Sequence, residues 1–422
     1  MKKILINDTP WQTRAAIVRN DHELQNIYFE SQVQDALERT YFKGTVASVL
    51  PGIQTAFVDI GQEKAGFLHI SEIDRELAAE KMGLFADSEI SPTEYRPAPR
   101  QSMDISKILR EGDPILVQVS KEPIYEKGAK LTTCFTLPGR FIVLMPNIPR
   151  IGISKKIESR EERARLRQIL TSRLPKGMGA IIRTSCENAP EDAIAKDVAF
   201  LVHTWRSVLK KFAKAKPKEK IYQDLDLALA CVRDNLDDDV QLILVDTAKM
   251  QQRIYRFVKN IAAEHTPKIR LYDGHPELFE KYDIERQIEY ALQRKVPLRS
   301  GGSIVIESTE AMTVVDVNTG RFTGRSNLEE TIFKTNMEAS EEVARQLRLR
   351  NIGGLIVIDF IDMATSNNRQ RLFRHFEKIL KERDKFQSVV LKVSEFGLVQ
   401  MTRKRSGKTL VQQLTENCSC CS

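Results

Sequence analysis

The chain has 422 residues, enough for about two to four folding units that each bury a core of their own. Its 65 lysine and arginine residues against 57 aspartate and glutamate residues give a net charge of +8, which suits a polyanionic partner. No apolar run has membrane-spanning length, and the first residues lead into a strand-like segment rather than a signal peptide, so we expect a soluble, cytoplasmic protein. Six scattered or clustered cysteines argue against a disulfide framework.

Three short apolar segments near the N-terminus predict a small sheet. They are Lys3–Ile6, Thr13–Val18 and Ile27–Glu30, with Asn20-Asp21 as a turn signal. Such a sheet is too small to stand alone, so we expect it to pack with a later segment. In that segment Val240–Val245 predicts a strand and Met250–Ala263 predicts a helix.

The segment that begins at Tyr41 alternates apolar and polar residues, with glycine at the bends, and predicts a small closed β-barrel. Residues 72–107 interrupt this pattern with charges and three prolines, which indicates a surface excursion. Phe57 and Phe67 lie on consecutive predicted strands. As exposed rings they would stack on unpaired bases, each contributing about 1–3 kcal/mol, whereas as buried rings they would belong to the core.

Residues 136–222 form another predicted module. LPGRFIVLMPN and GMGAIIRTS predict short strands flanked by glycine, and a helix is predicted from Asp192 to Lys214. The end of that helix is strongly basic (LKKFAKAKPKEK) and either guides a polyanion or is an ordinary solvated face.

Two aspartates each end a β-branched, apolar run: Asp316 in MTVVDVNTG and Asp359 in GLIVIDF. Residues 328–350 between them predict one helix, with Asn327 and Glu330 as a capping-box-like start and Gly353-Gly354 as the stop. Because parallel strands need a crossover of this length, the unit would bring both carboxylates to the same end of a sheet. The alternative is that each aspartate only caps a strand end.

The neighbours of this pair favour a magnesium site. Asn318 follows Asp316 by two residues and so faces the same side of the strand. Oxygen ligands of this kind suit Mg²⁺, which takes one or two protein carboxylates and fills its other positions with water and substrate phosphate. Further acidic residues are either outer groups of the site or solvated surface charges: Asp362, Glu307 and Glu310.

Cys418 and Cys421 in the tail have the C-x-x-C spacing that commonly holds Zn²⁺. One such pair cannot complete a tetrahedral site of four ligands. Cys420 is an additional thiol that could compete as a ligand, and a redox-active or unpaired cysteine tail is the alternative.

The block VVDVNTGRFTGRSNLEETIFKTNMEASEEVARQLRLRNIGGLIVIDFIDM resembles the catalytic segment of the bacterial ribonuclease E/G endoribonucleases, and the resemblance extends over essentially the whole chain. It is closest in character to the shorter, G-type members of that family. The resemblance implies an α/β multidomain fold: a ribonuclease-H-like core with an inserted S1 (OB-fold) β-barrel and a 5′-sensor module, followed by an α/β DNase-I-like catalytic domain and a zinc-link tail. The implied boundaries are 1–40 and 225–294 for the core, 41–135 for the barrel, 136–224 for the sensor, 295–412 for the catalytic domain and 413–422 for the zinc link.

The resemblance also implies roles for individual residues. Asp316, Asn318 and Asp359 would be catalytic, with the two aspartates binding Mg²⁺. RNA would contact Phe57, Phe67 and Lys127, and its 5′-monophosphate would enter a pocket formed by Gly139, Val143, Arg183 and Thr184. Cys418 and Cys421 would share one structural Zn²⁺ with the same pair of a second protomer, giving a homodimer or higher oligomer. Ser419 stands where the family usually has proline.

We therefore expect a single-strand-specific endoribonuclease that leaves 5′-phosphate and 3′-hydroxyl ends, in ribosomal RNA maturation and messenger RNA decay. No side chain is an obvious general base, so the metal is expected to activate the attacking water. The alternatives are a non-catalytic S1-type RNA-binding protein, against which the intact acidic residues argue, and a metal-dependent DNA nuclease. The sequence does not identify degradosome-type protein partners.

Overall fold

The computed structural model describes residues 2–19, 22–32, 37–74, 104–123, 128–319, 328–384, 386–394, 397–405 and 407–415. The strands, in chain order, are β1 Lys2–Asp8, β2 Gln12–Arg19, β3 Glu23–Ser31, β4 Tyr41–Leu50, β5 Thr55–Asp59, β6 Gly66–His69, β7 Pro114–Lys121, β8 Lys130–Thr132, β9 Leu137–Pro138, β10 Ile142–Met145, β11 Ile151–Ile153, β12 Gly179–Ile182, β13 Lys220–Tyr222, β14 Val240–Val245, β15 Ile269–Leu271, β16 Lys295–Pro297, β17 Ser303–Ser308, β18 Met312–Asn318, β19 Gly354–Asp359, β20 Ser388–Val390 and β21 Leu398–Arg403. The helices are α1 Ile105–Ile108, α2 Arg160–Arg173, α3 Glu191–Lys214, α4 Leu227–Asn235, α5 Ala248–Ile261, α6 Leu278–Lys281, α7 Ile284–Leu292, α8 Leu328–Leu349, α9 Ser366–Arg383 and α10 Leu410–Leu414.

The chain folds into two compact units, both discontinuous in sequence. The first comprises Met1–Glu30, Asp238–Tyr255 and Pro267–Ser422, and the second comprises Ser31–Asp237 and Arg256–Thr266. The second unit is therefore inserted into the first. The finer domain boundaries implied by the family resemblance stay predictions.

One sheet of the first unit combines strands that precede the inserted second unit with strands that follow it. Its strand order is β15-β14-β1-β2-β3, with β1 parallel to β14 and antiparallel to β2. The predicted N-terminal strands and their pairing with Val240–Val245 are confirmed, and the predicted helix after β14 begins two residues earlier, at Ala248. The Asn20-Asp21 turn lies outside the described residues.

The second sheet of this unit has the order β16-β17-β18-β19-β21-β20. Helices α8 and α9 pack on it, because α8 buries an apolar stripe that includes Val343 and Leu347, and α9 buries Leu372 and Phe376. The predicted strand–helix–strand unit is thus confirmed, with β18 and β19 parallel. The side chain of Leu328 and the predicted cap Asn327 lie outside the described residues.

The end of α8 differs from the sequence prediction. The helix stops at Leu349, and the residue in the left-handed conformation is Asn351, with φ of 52°. The N–H of Asn351 donates to the carbonyl of Arg348, and the N–H of Ile352 donates to that of Leu347, which together form a Schellman motif. The prediction that Gly353-Gly354 ends the helix was wrong, because asparagine also tolerates the left-handed region and Gly354 instead opens β19.

A buried ion pair links β21 to the neighbouring elements of this sheet. Arg403 donates from Nε to Asp384 Oδ2 at 2.6 Å and from Nη2 to Asp384 Oδ1 at 3.1 Å, and both side chains are 1% exposed. Its Nη1 also donates to the carbonyl of Ile352, the residue that precedes β19 by one glycine, at 2.6 Å. The pair therefore couples the end of α9, β21 and the start of β19.

A closed barrel occupies one part of the second unit. Strands β4, β5, β6, β8 and β7 follow one another in the sheet, and pairing of β4 with β7 closes it. The predicted small β-barrel is confirmed, and β13 adds to the outside edge of β4. Most of the predicted surface excursion, residues 75–103, lies outside the described residues.

The other part of the second unit is a four-stranded sheet, in the order β11-β12-β10-β9, covered by α2 and α3. Helix α3 buries a stripe that includes Ile194, Leu201 and Trp205 against Ile142 and Leu144 of the sheet. The predicted helix from Asp192 to Lys214 is confirmed and begins one residue earlier. Within the described ranges, no helix is both long and apolar enough to cross a membrane.

Candidate functional site

Asp316 and Asp359 lie side by side on adjacent parallel strands. They are Cα partners in the register of β18 and β19, and both side chains are exposed. Asp359 is the last residue of β19, and Asp316 lies two residues before the end of β18. Parallel strands joined by a single helix necessarily point the same way, so the two carboxylates reach the same end of the sheet.

The negative charges of Asp316 and Asp359 are not offset by a neighbouring basic side chain among the described residues. Burial and then the charges of Asp316 and Asp362 raise the pKa of Asp359 above its ordinary value. Asn318 Nδ2 donates to Asp316 Oδ2 at 2.7 Å. In the part of the chain that the structure describes, no lysine or arginine forms an ion pair with either aspartate. The two carboxylates therefore lie together without a described basic partner.

The segment that follows Asp359 is held in place by α8. Asn336 is fully buried, accepts from the N–H of Ile361 at 3.1 Å and donates to its carbonyl at 2.8 Å. Glu329 accepts from the N–H groups of Ala364 and Thr365, at 3.1 and 3.2 Å. The sequence analysis missed both residues. The signal was available for Asn336, a polar residue inside the apolar stripe of α8, which had to find a partner when buried.

The donor set suits Mg²⁺. Mg²⁺ usually takes only one or two protein carboxylates and keeps several waters, which matches an exposed pair of aspartates. Among the described residues, no group of three histidine, cysteine, aspartate or glutamate side chains could enclose a metal by itself. Glu307 forms an ion pair with Arg294, and Glu310 is exposed. Both residues are therefore surface charges rather than outer groups of the carboxylate pair.

The predicted sensor residues also come together. Strands β10 and β12 pair antiparallel, with Val143 opposite Ile181. Arg183, immediately after β12, donates from its backbone to the carbonyl of Phe141 at 2.9 Å and from Nη1 to the carbonyl of Gly139 at 2.7 Å. Thr184 is exposed beside it, with its hydroxyl 3.1 Å from that of Ser154.

Asp197 of α3 organises the loop before β10 and was missed by the sequence analysis. Its carboxylate accepts from the N–H groups of Arg140, Phe141 and Ile142 at 3.2, 2.8 and 3.2 Å. Burial raises the pKa of Asp197 despite these bonds. A Cβ on Gly139 would lie 2.5 Å from Asp197 Oδ2, so only glycine allows this close approach.

Arg183 already has an acidic partner. Its Nη1 lies 2.8 Å from Asp234 Oδ1, and Asp234 also accepts from Nε of the buried Arg233 at 2.9 Å. Burial opposes ionisation of Asp234, but the two guanidinium groups hold its pKa below the ordinary value. Asp224 is a further acceptor for Arg233, at 3.3 Å. This network fixes the Arg183 side chain and leaves it half-buried.

Phe57 and Phe67 lie opposite each other on β5 and β6 as Cα partners. Their neighbours Ala56, Val58 and Leu68 are fully buried in the barrel, so by the alternation of a strand the two rings face outward. Both are half-buried, and neither belongs to the core.

Two predicted groups lie outside the described residues: Lys127 of the barrel, and the tail cysteines Cys418 and Cys421. Their roles stay predictions.

Comparisons with known proteins show which family the chain resembles. The ribonuclease E/G family model matches residues 136–406. Ribonuclease G of Salmonella typhimurium is 40% identical over 99% of this chain and 83% of its own length, and ribonuclease G of Escherichia coli is 39% identical over the same shares. Ribonuclease E of Escherichia coli is 38% identical over 100% of this chain, which covers 38% of that protein.

These relatives define the chain as an endoribonuclease. It belongs to the ribonuclease E/G family, as the sequence motif predicted.

Proposed function

We propose that the protein is a Mg²⁺-dependent endoribonuclease that is specific for single-stranded RNA and recognises a 5′-monophosphate end. The observation that carries the proposal is the alignment of Asp316 with Asp359 on adjacent parallel strands, without a described cation to neutralise them. We place its action in the cytoplasm, in the maturation of ribosomal RNA and the decay of messenger RNA, as the family resemblance implies.

In this proposal the two aspartates hold Mg²⁺ and Asn318 orients the site. When bound, Mg²⁺ supplies Lewis acidity to the scissile phosphate. The hydrogen bond from Asn318 to Asp316 Oδ2 would fix the orientation of this carboxylate. Asn336 and Glu329 hold the segment after Asp359 and so limit its movement during cleavage. The products would carry 5′-phosphate and 3′-hydroxyl ends.

The sensor pocket would read the 5′ end. Arg183 offers a fork of donors to phosphate oxygens, and Thr184 adds a hydroxyl. Gly139 and Val143 line the pocket, whose loop is fixed by Asp197. A dianionic 5′-phosphate would bind Arg183 better than a phosphodiester does, because it carries more negative charge.

The barrel would bind the chain of bases. Phe57 and Phe67 form an outward pair on neighbouring strands, and Lys127 would contact the backbone. Stacking of this kind is tolerant of sequence but requires unpaired bases, which supports a preference for single strands.

Cleavage of one short RNA tests the proposal. The oligonucleotide carries either a 5′-monophosphate or a 5′-hydroxyl and is incubated with and without Mg²⁺. We expect cleavage only with Mg²⁺, and faster cleavage of the monophosphorylated form. Binding without cleavage under all conditions would instead identify a non-catalytic RNA-binding protein, and equal cleavage of the matching DNA would refute RNA specificity.

We also propose that Cys418 and Cys421 bind half of a zinc site that is completed by a second protomer. Cys418→Ser and Cys421→Ser should each remove zinc and lower the oligomeric state, because thiolates supply the affinity of such a site. Zinc content and light scattering of purified variants measure both effects, with Cys134→Ser as the control. A zinc-free, monomeric wild-type protein at micromolar concentration contradicts the shared site, and a zinc-loaded monomer indicates a site closed within one chain.

A further inference from the structure

Helix α3 carries a straight row of basic residues on its solvent side. Lys196, His203 and Lys210 recur every seven residues, with Arg206 and Lys214 on the adjoining turns, and all of them are exposed. This row lies opposite the stripe that the helix buries in the core of the second unit.

Acidic residues do not balance this row. After Asp192, which precedes Lys196 by four residues, and the buried Asp197, the sequence contains no aspartate or glutamate until Glu219. No ion pair within the described ranges involves any residue of the row. In α9, by contrast, Lys378 lies 3.9 Å from Glu382. The row of α3 is therefore a concentrated positive surface.

An aromatic ring lies within the row. Phe200 is 51% exposed, four residues after Lys196 and three before His203, and so on the same face of the helix. An exposed aromatic ring beside basic residues is the combination that single-stranded nucleic acids bind, because the charges follow the backbone and the ring stacks on a base.

The two ends of α3 reach the two RNA-binding regions proposed above. Near its start, Asp197 holds the loop of the sensor pocket. At its end, Lys43 of β4 donates from Nζ to the carbonyls of Phe212 and Ala215, at 3.1 and 2.9 Å. The residues from Asp197 to Lys214 span about 25 Å along the helix axis, at roughly 1.5 Å per residue.

The connection after α3 continues onto the face of the barrel that carries the aromatic pair. Lys218 Nζ lies 2.7 Å from Asp59 Oδ2. Asp59 follows Phe57 by two residues on β5, so both side chains point to the same side of the strand. The basic row and the aromatic pair thus belong to one compact unit, and the connection after α3 contacts the strand that carries Phe57.

We infer that the exposed face of α3 is a binding track for single-stranded RNA, in which the basic side chains contact backbone phosphates and Phe200 stacks on a base between the 5′-phosphate pocket and the barrel. The inference rests on the proposed function and extends it, because it assigns the path of the nucleotides that follow the 5′ end.

The test measures binding of a 3′-labelled, 5′-monophosphorylated single-stranded 12-mer by fluorescence anisotropy, without Mg²⁺, over a range of salt concentrations. The variant combines Lys196→Gln, Arg206→Gln and Lys210→Gln. Each phosphate contact contributes about −0.7 to the slope of log affinity against log salt for single strands, so the slope should become shallower by about 2. The Kd should rise on the order of tenfold or more at low salt.

The matched control removes the same charge from α5 by Lys249→Gln, Arg256→Gln and Lys259→Gln, which are also exposed and also lie on one helix face. Its affinity and salt slope should equal those of the wild type. Phe200→Ala should weaken binding on the order of tenfold with an unchanged salt slope, because stacking releases no counterions. Leu209→Ala, on the same helix but outside the row and 44% exposed, should bind as the wild type does.

Unchanged affinity and slope in the α3 variant would overturn the inference, as would an equal loss in the α5 control, which would indicate a response to net charge alone. Both outcomes leave the proposed function intact if the wild type cleaves RNA with Mg²⁺. A wild type that neither binds nor cleaves RNA overturns the proposed function and this inference with it.

Discussion

The carboxylate pair and the Arg183 pocket handle charge in opposite ways. Asp316 and Asp359 place two like charges together, and their repulsion contributes to the raised pKa of Asp359. Arg183 and Asp234 instead pair unlike charges, and the pKa of Asp234 is lowered. The first region has no described basic side chain to offset its charge, whereas the second is held by ion pairs within the chain. Under the proposed function, chemistry would depend on a metal at the first region, while selectivity at the second would depend on a preformed side-chain geometry.

The largest expected effect comes from replacing either aspartate of the carboxylate pair. Asp316→Asn or Asp359→Asn should lower Mg²⁺-dependent cleavage more than the roughly 10–100-fold loss typical of groups outside the ligand shell, because each removes a proposed ligand. RNA binding should change little. Glu310→Gln, at the other end of the β17–β18 hairpin, removes the same charge and should retain activity. Near-wild-type cleavage by either aspartate variant at millimolar Mg²⁺ would refute the site.

Replacing Arg183 should have a smaller effect on cleavage, and one that depends on the 5′ end of the RNA. Arg183→Gln should slow cleavage of 5′-monophosphorylated RNA by about 10–100-fold, since charge-assisted hydrogen bonds contribute roughly 1.5–3 kcal/mol. Cleavage of 5′-hydroxyl RNA should be nearly unchanged. Arg173→Gln, which removes an exposed arginine of α2, should preserve the preference. If both substrates slow equally, Arg183 serves the fold or the general RNA path.

The preformed geometry of the pocket can be tested without touching a charge. Gly139→Ala would place a methyl group against Asp197 and Leu201, so we expect a loss of about 1–3 kcal/mol in the free energy of unfolding and a weaker 5′-monophosphate preference. Gly152→Ala in the same sheet meets Ile181 only at 3.6 Å and should be neutral. Chemical denaturation and cleavage assays measure both. Equal behaviour of the two variants would show that the close approach is unimportant.

The smallest expected effect is a pH-dependent change in stability caused by Asp359. The pKa of Asp359 is higher in the folded protein than the value of about 4 in the unfolded chain. Ionisation of Asp359 therefore lowers the free energy of unfolding as the pH rises from about 4, and the full loss is reached above the folded-state pKa. Asp359→Asn should therefore stabilise the metal-free protein at pH 7, by roughly 0.5 kcal/mol or less for an exposed group, and the gain should vanish in acid. Thermal unfolding measures this, with Glu310→Gln as the control. Added Mg²⁺ should stabilise the wild type and not the variant; the reverse order would contradict the comparison.

Local patterns predicted the elements that place the acidic pair. Apolar runs ending in Asp316 and Asp359, with one helical period between them, were enough to specify two parallel strands and their common end. The closed barrel and α3 followed from the same kind of periodicity. The helix stop at Asn351 was missed because a nearby Gly-Gly pair gave a stronger local signal.

The contacts that organise the pocket could not be predicted in this way. Arg183 and Asp234 are 51 positions apart, and Asp197 is 57 positions from the backbone that it holds. No periodicity connects residues at such separations, and the choice of partner depends on how the sheet and helices pack. Family resemblance supplied the identity of Arg183 and Thr184 but not the residues behind them.

The buried pair of Asp384 and Arg403 constrains when the catalytic sheet can form during synthesis. Until residue 403 has been made, Asp384 has no guanidinium to accompany it into the core, and burying it alone would cost several kcal/mol. Strand β19 also lacks its neighbour β21 until then. The sheet that carries Asp359 is therefore completed only after residue 403 has been translated, so a ribosome-bound chain can hold a folded second unit well before this sheet is complete.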